Sequence, residues 1–221
     1  MARVLILGAS RGIGRELAMQ YRQAGWHVTA SARAPQDLVE LQADVDRAIA
    51  LDVADPASLS GLAGQLDGAK FELAIQVAGV IDRGSIFEGV TRERFDHIMH
   101  TNVLGVLQAL AHVAPLLVPG KGVFAVLSSA MGSLARTSTP DAVLYRVSKA
   151  AVNMVVRSAQ AQYTELIVVA LHPGWVRTDM GGAGAALDVR HSVTDLRRVL
   201  AGLGPKDKGS FINHDGALIP W

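Results

Sequence analysis

Short apolar runs bounded by turn residues recur along the chain and alternate with longer segments of helical periodicity. Such runs are typical of strands that are buried on both faces of a parallel sheet. Six strands are predicted, at Val4–Leu7, His27–Ala30, Ala48–Leu51, Leu73–Val77, Val123–Leu127 and Ile167–Leu171. Five helices are predicted between them, at Gly12–Ala24, Pro35–Ala43, Pro56–Leu66, Arg92–Leu117 and Asp141–Gln162. The alternation predicts a doubly wound α/β fold.

Several residues mark the ends of these helices. Pro35 and Pro56 stand where helices begin, Thr91 supplies a cap hydroxyl, and Gly25 lies where the first helix is expected to stop. The stretch Gly181–Ala186, with the sequence GGAGAA, is predicted to belong to a mobile loop near a site.

Composition narrows the class of protein. A chain of 221 residues suits one well-cored domain, so residues 1–221 are expected to form a single domain. Hydrophobic residues make up 50% of the chain and charged residues 19%, which excludes disorder. The formal net charge is +1 and the basic residues are dispersed, so neither nucleic acid nor a membrane surface is an expected partner.

The chain contains no cysteine, which excludes disulfides, thiolate catalysis and thiolate metal sites, and which fits a reducing cytoplasm. The N-terminal apolar run is shorter than a signal-peptide core, so secretion is not expected. The longest apolar stretch, Val103–Val118, is interrupted by Gln108, His112 and Pro115, so no membrane span is expected either.

The segment from Gly8 to Gly14 fits two different chemistries. As G-x-S-x-G, Gly8 to Gly12 would be a nucleophile elbow that presents Ser10 to an ester. Only seven residues precede Gly8, however, which leaves no room for the oxyanion-hole loop that an elbow requires. A strand, a glycine turn and a helix instead form a phosphate site, because the helix N-terminus offers free N–H groups and partial positive charge.

Tyr145 and Lys149 form a second candidate site. They stand four residues apart in a segment of helical periodicity, which places them on one helix face. A tyrosine that acts as an acid or base at neutral pH needs a pKa lowered from about 10 toward 7, which corresponds to about 4 kcal/mol. One ammonium at about 4 Å in an effective dielectric near 20 supplies about that much. We therefore expect Lys149 to lower the pKa of Tyr145.

Together these segments resemble the short-chain dehydrogenase/reductase family, in its NADP(H)-using branch. The matching motifs run from Gly8 to Thr178 in the family's order, and include HTNVLG at 100–105 and YRVSK at 145–149. The segments HPGWVRTDMGG and GSFINHDGALIPW are similar to those of the C-factor/sniffer-type carbonyl reductases. The resemblance implies a Rossmann fold with a mostly parallel sheet of about seven strands and helices on both faces.

The resemblance also implies catalytic roles. Tyr145 would donate a proton to a carbonyl oxygen, Lys149 would bind the nicotinamide ribose, and Asn102 would interrupt its helix and help to order a relay water. Ser129 would orient the substrate, although the commonest family spacing from Tyr145 falls on Gly132 instead. Ser128 and Ser133 remain alternatives. We favour Ser129 because it closes the VFAVLSS strand, and ligand-binding groups lie at the carboxyl ends of such strands.

Cofactor-binding positions follow from the same resemblance, with Gln76 and Val77 replacing two asparagines that the family carries before Ala78. The implied cofactor residues are Gly8, Ser10, Arg11, Gly12, Ile13, Gly14, Arg33, Asp52, Val53, Ala78, Gly79, Tyr145, Lys149, Pro173, Gly174, Val176 and Thr178.

The residues after the second strand indicate which dinucleotide is preferred. An acidic residue there would bind the ribose hydroxyls of NAD and repel a 2′-phosphate, but the chain has Ala30-Ser31-Ala32-Arg33. Arg11 and Arg33 are instead suited to charge-assisted bonds with that phosphate. We expect NADP(H) to be preferred over NAD(H).

The leading hypothesis is therefore an NADPH-dependent reductase of a ketone or aldehyde. Two alternatives stay open: an NADP(H)-binding sensor or signalling protein with little turnover, and an esterase that uses Ser10. A metal site at His97 and His100 lacks an evident third ligand, so none is expected. The small side chains of SKAAVNMVVRSAQAQ would let two helices approach closely, and the family resemblance implies a homodimer or homotetramer.

Overall fold

The computed structural model describes all residues from Met1 to Trp221. One seven-stranded sheet runs through it in the order β3-β2-β1-β4-β5-β6-β7, and every neighbouring pair of strands is parallel. The strands are β1 (Arg3–Leu7), β2 (His27–Ala32), β3 (Arg47–Ala50), β4 (Leu73–Gln76), β5 (Val123–Leu127), β6 (Ile167–His172) and β7 (Phe211–Asn213). The prediction of a doubly wound α/β fold is confirmed.

Eight α-helices connect and cover these strands. They are α1 (Gly12–Gln23), α2 (Pro35–Asp44), α3 (Pro56–Ser60), α4 (Leu62–Gln65), α5 (Arg92–Met99), α6 (Gly105–Val113), α7 (Val143–Gln162) and α8 (Val189–Ala201). As expected, Thr91 caps α5, since its hydroxyl accepts a hydrogen bond from the Arg94 N–H.

The long helix predicted at Arg92–Leu117 is divided. A π-helical segment, His100–Leu104, separates α5 from α6, and a short 3₁₀ turn follows α6 at Ala114–Leu116. The prediction also omitted α8 and β7. β7 has only three residues, which is too short for a periodic signal.

Two hydrophobic layers cover the two faces of the sheet. Alternate residues of β1 illustrate this, because Leu5 and Leu7 pack in one cluster while Val4 and Ile6 pack in the other. The first cluster of 27 buried residues includes side chains of α3, α4, α6 and α7, and the second, of 21, includes those of α1, α2 and α8. Helices therefore lie on both faces of the sheet, as predicted.

The strand order reverses direction between β1 and β4. β2 and β3 lie on one side of β1, whereas β4 to β7 lie on the other. The connections that leave β1 and β4 diverge at such a point, and ligands of open α/β sheets bind in the crevice that opens there, at the carboxyl ends of the strands.

Candidate active site

The turn between β1 and α1 is shaped by close backbone packing. Gly8 has a φ of 92°, and a Cβ at this position would lie 2.7 Å from Ala78, which follows β4. A Cβ at Gly14 would collide with the carbonyl oxygen of Gly8. No side chain caps α1 where it begins at Gly12, so its first N–H groups stay free to bind an anion. This turn fits a diphosphate group.

Tyr145 and Lys149 lie one turn apart on α7, and both are buried, with 7% and 6% of their surfaces exposed. Lys149 Nζ lies 5.6 Å from the centroid of the Tyr145 ring. It donates a hydrogen bond of 2.8 Å to the carbonyl oxygen of Leu127, at the carboxyl end of β5. An ammonium has three donors, so Lys149 retains donors for the hydroxyl groups of a ligand. This donor set fits a ribose.

Asn102 lies in the π-helical segment and is 1% exposed. Its amide binds both backbone polar groups of Val80. Nδ2 donates to the Val80 carbonyl at 2.9 Å, and Oδ1 accepts from the Val80 N–H at 2.8 Å. Nδ2 also donates to Ser148 Oγ at 2.9 Å, and Ser148 Oγ donates to the Tyr145 carbonyl at 2.8 Å. Asn102 thus connects the segment after β4 to the first turns of α7.

The three candidate serines after β5 have different surroundings. Ser128 Oγ donates to Asn153 Oδ1 at 2.6 Å, inside the interface with α7. Ser133 Oγ donates to the Pro220 carbonyl at 2.6 Å. Only Ser129 interacts through its side chain with the phenol of Tyr145. The geometry therefore favours Ser129 as the hydroxyl beside the tyrosine.

Burial is the largest influence on the pKa values of Tyr145 and Lys149. It raises the pKa of Tyr145, while the interaction with Ser129 acts in the opposite direction. Burial also lowers the pKa of Lys149 from 10.5 to about 8. The prediction that Lys149 lowers the pKa of Tyr145 was wrong for the protein alone. It counted the charge of the ammonium and left out the desolvation of the phenol.

A second group of predicted residues follows β2 and β3. Arg33 Nη1 lies 3.7 Å from Asp52 Oδ2, and Asp52 Oδ1 accepts a hydrogen bond of 2.9 Å from the Ala54 N–H. Val53 is buried and packs against α6, since a Cβ at Gly105 would lie 2.9 Å from the Val53 carbonyl oxygen. The predicted adenine residues thus lie together at the β2–β3 side of the crevice.

The predicted cofactor residues that follow β4, and those in the first turn of α1, occupy the central part of the crevice. Ala78 packs on Gly8, and a Cβ at Gly79 would lie 3.2 Å from Asn102 Oδ1 and 3.6 Å from Lys149 Nζ. Ile13 is partly buried and packs on the second hydrophobic cluster.

Gln76 is a buried polar residue in the sheet centre. Its side chain is 1% exposed, and neither its Nε2 nor its Oε1 has a hydrogen-bond partner. This residue stands where the family resemblance places an asparagine. A buried amide without partners is costly, but nothing in the structure explains why the longer side chain occurs here.

The segment after β6 approaches the glycine turn. Val176 pairs with Leu187, which closes the β6–α8 loop, residues 173–188, at its base. A Cβ at Gly12 would lie 3.3 Å from the Thr178 methyl carbon, so the loop contacts the N-terminus of α1. The loop includes the glycine- and alanine-rich stretch that the sequence singled out.

The sequence analysis missed a charged cluster that supports Pro173–Gly174. Asp195 of α8 is buried and contacts His214 Nδ1 at 2.9 Å and Arg198 Nη2 at 2.8 Å. The His214 ring packs against the turn, since a Cβ at Gly174 would lie 3.0 Å from its Cδ2. Ser192 Oγ of α8 donates to the Pro173 carbonyl at 2.6 Å. No sequence spacing indicated this cluster, because its members come from α8 and the turn after β7.

The remaining candidate chemistries find no support. Hydrogen bonds of histidine side chains join His100 to Asp96 and His214 to Asp195, and neither involves Ser10. No group of three or more His, Cys, Asp or Glu residues is arranged to bind a metal ion. None of the helices combines the length and the apolar character that crossing a membrane would require.

Known proteins resemble the chain in both sequence and structure. The family model for short chain dehydrogenase matches residues 2–186. The C-signal protein of Myxococcus xanthus is 42% identical over 123 residues, which cover 54% of this chain and 74% of that protein. Carbonyl reductase Sniffer of D. melanogaster superposes with a TM-score of 0.91 at 25% identity, over 100% of both chains.

A third similar protein is the NADPH-bound carbonyl reductase from chicken fatty liver. It superposes with a TM-score of 0.90 at 30% identity, over 100% of this chain and 99% of that one. Members of the matched family are oxidoreductases that use a nicotinamide cofactor. The chain therefore belongs to the short-chain dehydrogenase family, in its carbonyl-reductase-like branch.

Proposed function

We propose that the protein is an NADPH-dependent reductase of ketones or aldehydes. The observation that carries this proposal is the buried pair of Tyr145 and Lys149 on one face of α7, with the Ser129 hydroxyl beside the phenol. The glycine turn lies at the carboxyl edge of the same sheet, where its N–H groups fit a diphosphate.

Tyr145 would donate the proton. Burial raises its pKa, so the phenol is protonated at neutral pH, as a donor must be. A bound nicotinamide cofactor would supply the hydride that the carbonyl carbon accepts. Tyr145 donates its proton to the carbonyl oxygen, and Ser129 orients that oxygen with a hydrogen bond.

Lys149 and Asn102 would support this step in different ways. Lys149 binds ribose hydroxyls through the donors that Leu127 leaves free, and its ammonium favours the phenolate that forms when Tyr145 loses its proton. Asn102 fixes the segment after β4 through Val80 and would order the water that returns a proton to Tyr145.

Other residues would bind the rest of the cofactor. The diphosphate would contact the turn from Gly8 to Gly14, and the adenine would contact Asp52 and Val53. The carboxamide of the nicotinamide would contact Val176 and Thr178, beside Pro173–Gly174. These roles carry over from the family resemblance, and the contact of Thr178 with Gly12 supports them.

A preference for NADP(H) over NAD(H) is part of the proposal. Arg33 directly follows β2, where an acidic residue would favour NAD(H), and Arg11 is the residue directly before α1. The chicken reductase, which the chain resembles at 30% identity, binds NADPH. A dissociation constant for NADH equal to that for NADPH would refute this preference.

We also propose that the chain associates with itself in the cytoplasm, as a homodimer or homotetramer. Val147 and Met154 on α7 and Leu107 on α6 expose 46%, 67% and 47% of their surfaces, which is a large apolar exposure for neighbouring helices. Light scattering coupled to size exclusion tests this association. A monomer at micromolar concentration would refute it.

The activity is tested by measuring NADPH oxidation against a panel of ketones, aldehydes and quinones. Turnover of at least one carbonyl compound is expected, and it should disappear in Tyr145→Phe. The sensor alternative predicts tight NADPH binding with no oxidation across the panel. The esterase alternative predicts hydrolysis without a cofactor that Ser10→Ala removes.

A further inference from the structure

Arg11 already has a carboxylate partner within the protein. Its Nη1 lies 2.6 Å from Asp179 Oδ2, and the two side chains are 78% and 75% exposed. Asp179 lies in the β6–α8 loop, directly after Thr178. Arg33, the other arginine expected to face the 2′-phosphate, lies at the longer distance of 3.7 Å from Asp52.

Apart from the hydrogen bond from Ser192 to Pro173 at the base of the loop, the ion pair is one of two polar contacts that join the loop to the rest of the crevice. Arg83, in the segment after β4, donates to the Met180 carbonyl at 2.5 Å. Within the loop, Trp175 Nε1 donates to the Gly181 carbonyl at 2.8 Å, and the Gly181 N–H donates to Thr178 Oγ1 at 3.1 Å. The loop is thus braced internally, and its position depends on few external contacts.

We propose that Asp179 is a specificity-determining residue, which competes with the 2′-phosphate of NADPH for the guanidinium of Arg11. This inference rests on the proposed function, because it concerns the same cofactor site. A guanidinium favours a dianionic phosphate over a single carboxylate. Binding of NADPH therefore displaces Asp179 and frees one side of the loop, whereas NADH leaves the ion pair intact.

Asp52 does not act in the same way. One of its oxygens is bound to the Ala54 N–H, in the segment directly after β3, so it stays in place when Arg33 turns to a ligand. Only the partner of Arg11 belongs to the loop. The release of Arg11 is therefore the step that connects recognition of the phosphate to movement of the loop.

The expected effect on affinity is small, because exposed ion pairs are weak and screened by salt. Asp179→Asn should tighten NADPH binding about twofold to fivefold at low salt, the range that corresponds to such a pair. NADH binding should be unchanged. Isothermal titration calorimetry of the full chain measures both, and Glu165→Gln is the matched control, since it removes one exposed negative charge at the start of β6.

A second variant separates competition from simple charge repulsion. In an Arg11→Ala background, Asp179→Asn should no longer change NADPH affinity, because the competitor has lost its target. If Asp179→Asn still tightens NADPH binding there, Asp179 acts by repelling the phosphate and the inference is wrong.

The loop itself provides a readout that does not depend on catalysis. Trypsin cleavage after Arg177, in the exposed part of the loop, should be faster with adenosine 2′,5′-bisphosphate than with adenosine 5′-phosphate. In Asp179→Asn the two nucleotides should give equal rates. Equal rates in the wild-type chain would overturn the inference.

The two proposals fail in distinguishable ways. A wild-type chain that binds neither NADPH nor adenosine 2′,5′-bisphosphate would overturn the proposed function and this inference together. A wild-type chain that binds NADPH, with Asp179→Asn binding it equally well, would overturn the inference alone.

Discussion

The cluster around Tyr145 and the β6–α8 loop both border the carboxyl edge of the sheet, yet the protein stabilises them differently. Tyr145, Lys149 and Asn102 are nearly fully buried, and short hydrogen bonds join Asn102 to Ser148 and Lys149 to the Leu127 carbonyl. Beyond its base, where Ser192 and His214 hold Pro173–Gly174, the loop makes its polar contacts with the rest of the crevice through the exposed side chains of Arg11 and Arg83. Substitutions in the cluster should strongly change either the chemistry or the stability, and substitutions in the loop should change ligand preference with little effect on stability.

The largest effect is expected for Tyr145→Phe. Removal of a positioned proton donor should lower kcat/KM by about 10²–10⁴-fold. The free energy of unfolding should change by no more than about 1 kcal/mol, because only the interaction of the phenol with Ser129 is lost. Steady-state kinetics and urea unfolding measure the two quantities. Retained activity would show that another group supplies the proton.

Asn102→Ala should destabilise the fold. The variant leaves the partly buried N–H and carbonyl groups of Val80 without their partners, which costs about 2–4 kcal/mol in the free energy of unfolding. Urea unfolding measures the loss, and Glu165→Gln, an exposed substitution, should change it by less than about 0.5 kcal/mol. An equally small change for Asn102→Ala would show that the π-helical segment does not depend on this amide.

Lys149 should give the cofactor-free protein a characteristic pH dependence. Its pKa is about 8 in the folded chain and 10.5 when unfolded, so the unfolded state binds more protons between these values. Stability therefore rises as the pH increases from 8 to 10.5, by up to about 3 kcal/mol, and the penalty is fully present below pH 8.

Lys149→Met removes the buried ammonium and serves as the reference for this effect. The difference in unfolding free energy between the two proteins should shrink or reverse as the pH rises through this window. Parallel pH profiles for the wild type and the variant would contradict the burial of a charged Lys149.

The smallest effect on stability is expected for Arg83→Ala. This exposed side chain ties the loop through the Met180 carbonyl, so its loss should change the free energy of unfolding by less than about 0.5 kcal/mol. Tryptic cleavage after Arg177 should nevertheless become faster. A large loss of stability would mean that the loop is part of the packed core.

The sequence predicted the sheet, and it predicted that Tyr145 and Lys149 share one helix face, for physical reasons. Strands buried on both faces leave continuous apolar runs, and a helix turn brings Tyr145 and Lys149 together whatever surrounds them. The choice of Ser129 among three serines followed from its place at the end of β5, and the structure brings its side chain to the phenol. These features follow from the pattern of residues that are near one another in the sequence.

Features that depend on distant contacts were missed. The contact between Asp195 and His214 joins α8 to the turn after β7, and the pair of Arg11 and Asp179 spans 168 positions of the chain. The direction of the Tyr145 pKa was also wrong, because desolvation depends on the complete packing around the phenol. Local periodicity does not contain this information.

The central claim is that one crevice delivers a hydride and the proton of Tyr145 to the same carbonyl group. The test is incubation of the protein with NADPH deuterated at C4 of the nicotinamide and with a carbonyl compound from the panel that the protein reduces, followed by mass spectrometry of the alcohol formed. We predict one deuterium at the former carbonyl carbon with the wild type and almost none with Tyr145→Phe. An alcohol without deuterium from either stereoisomer of the labelled cofactor, or equal labelling by both proteins, would contradict it.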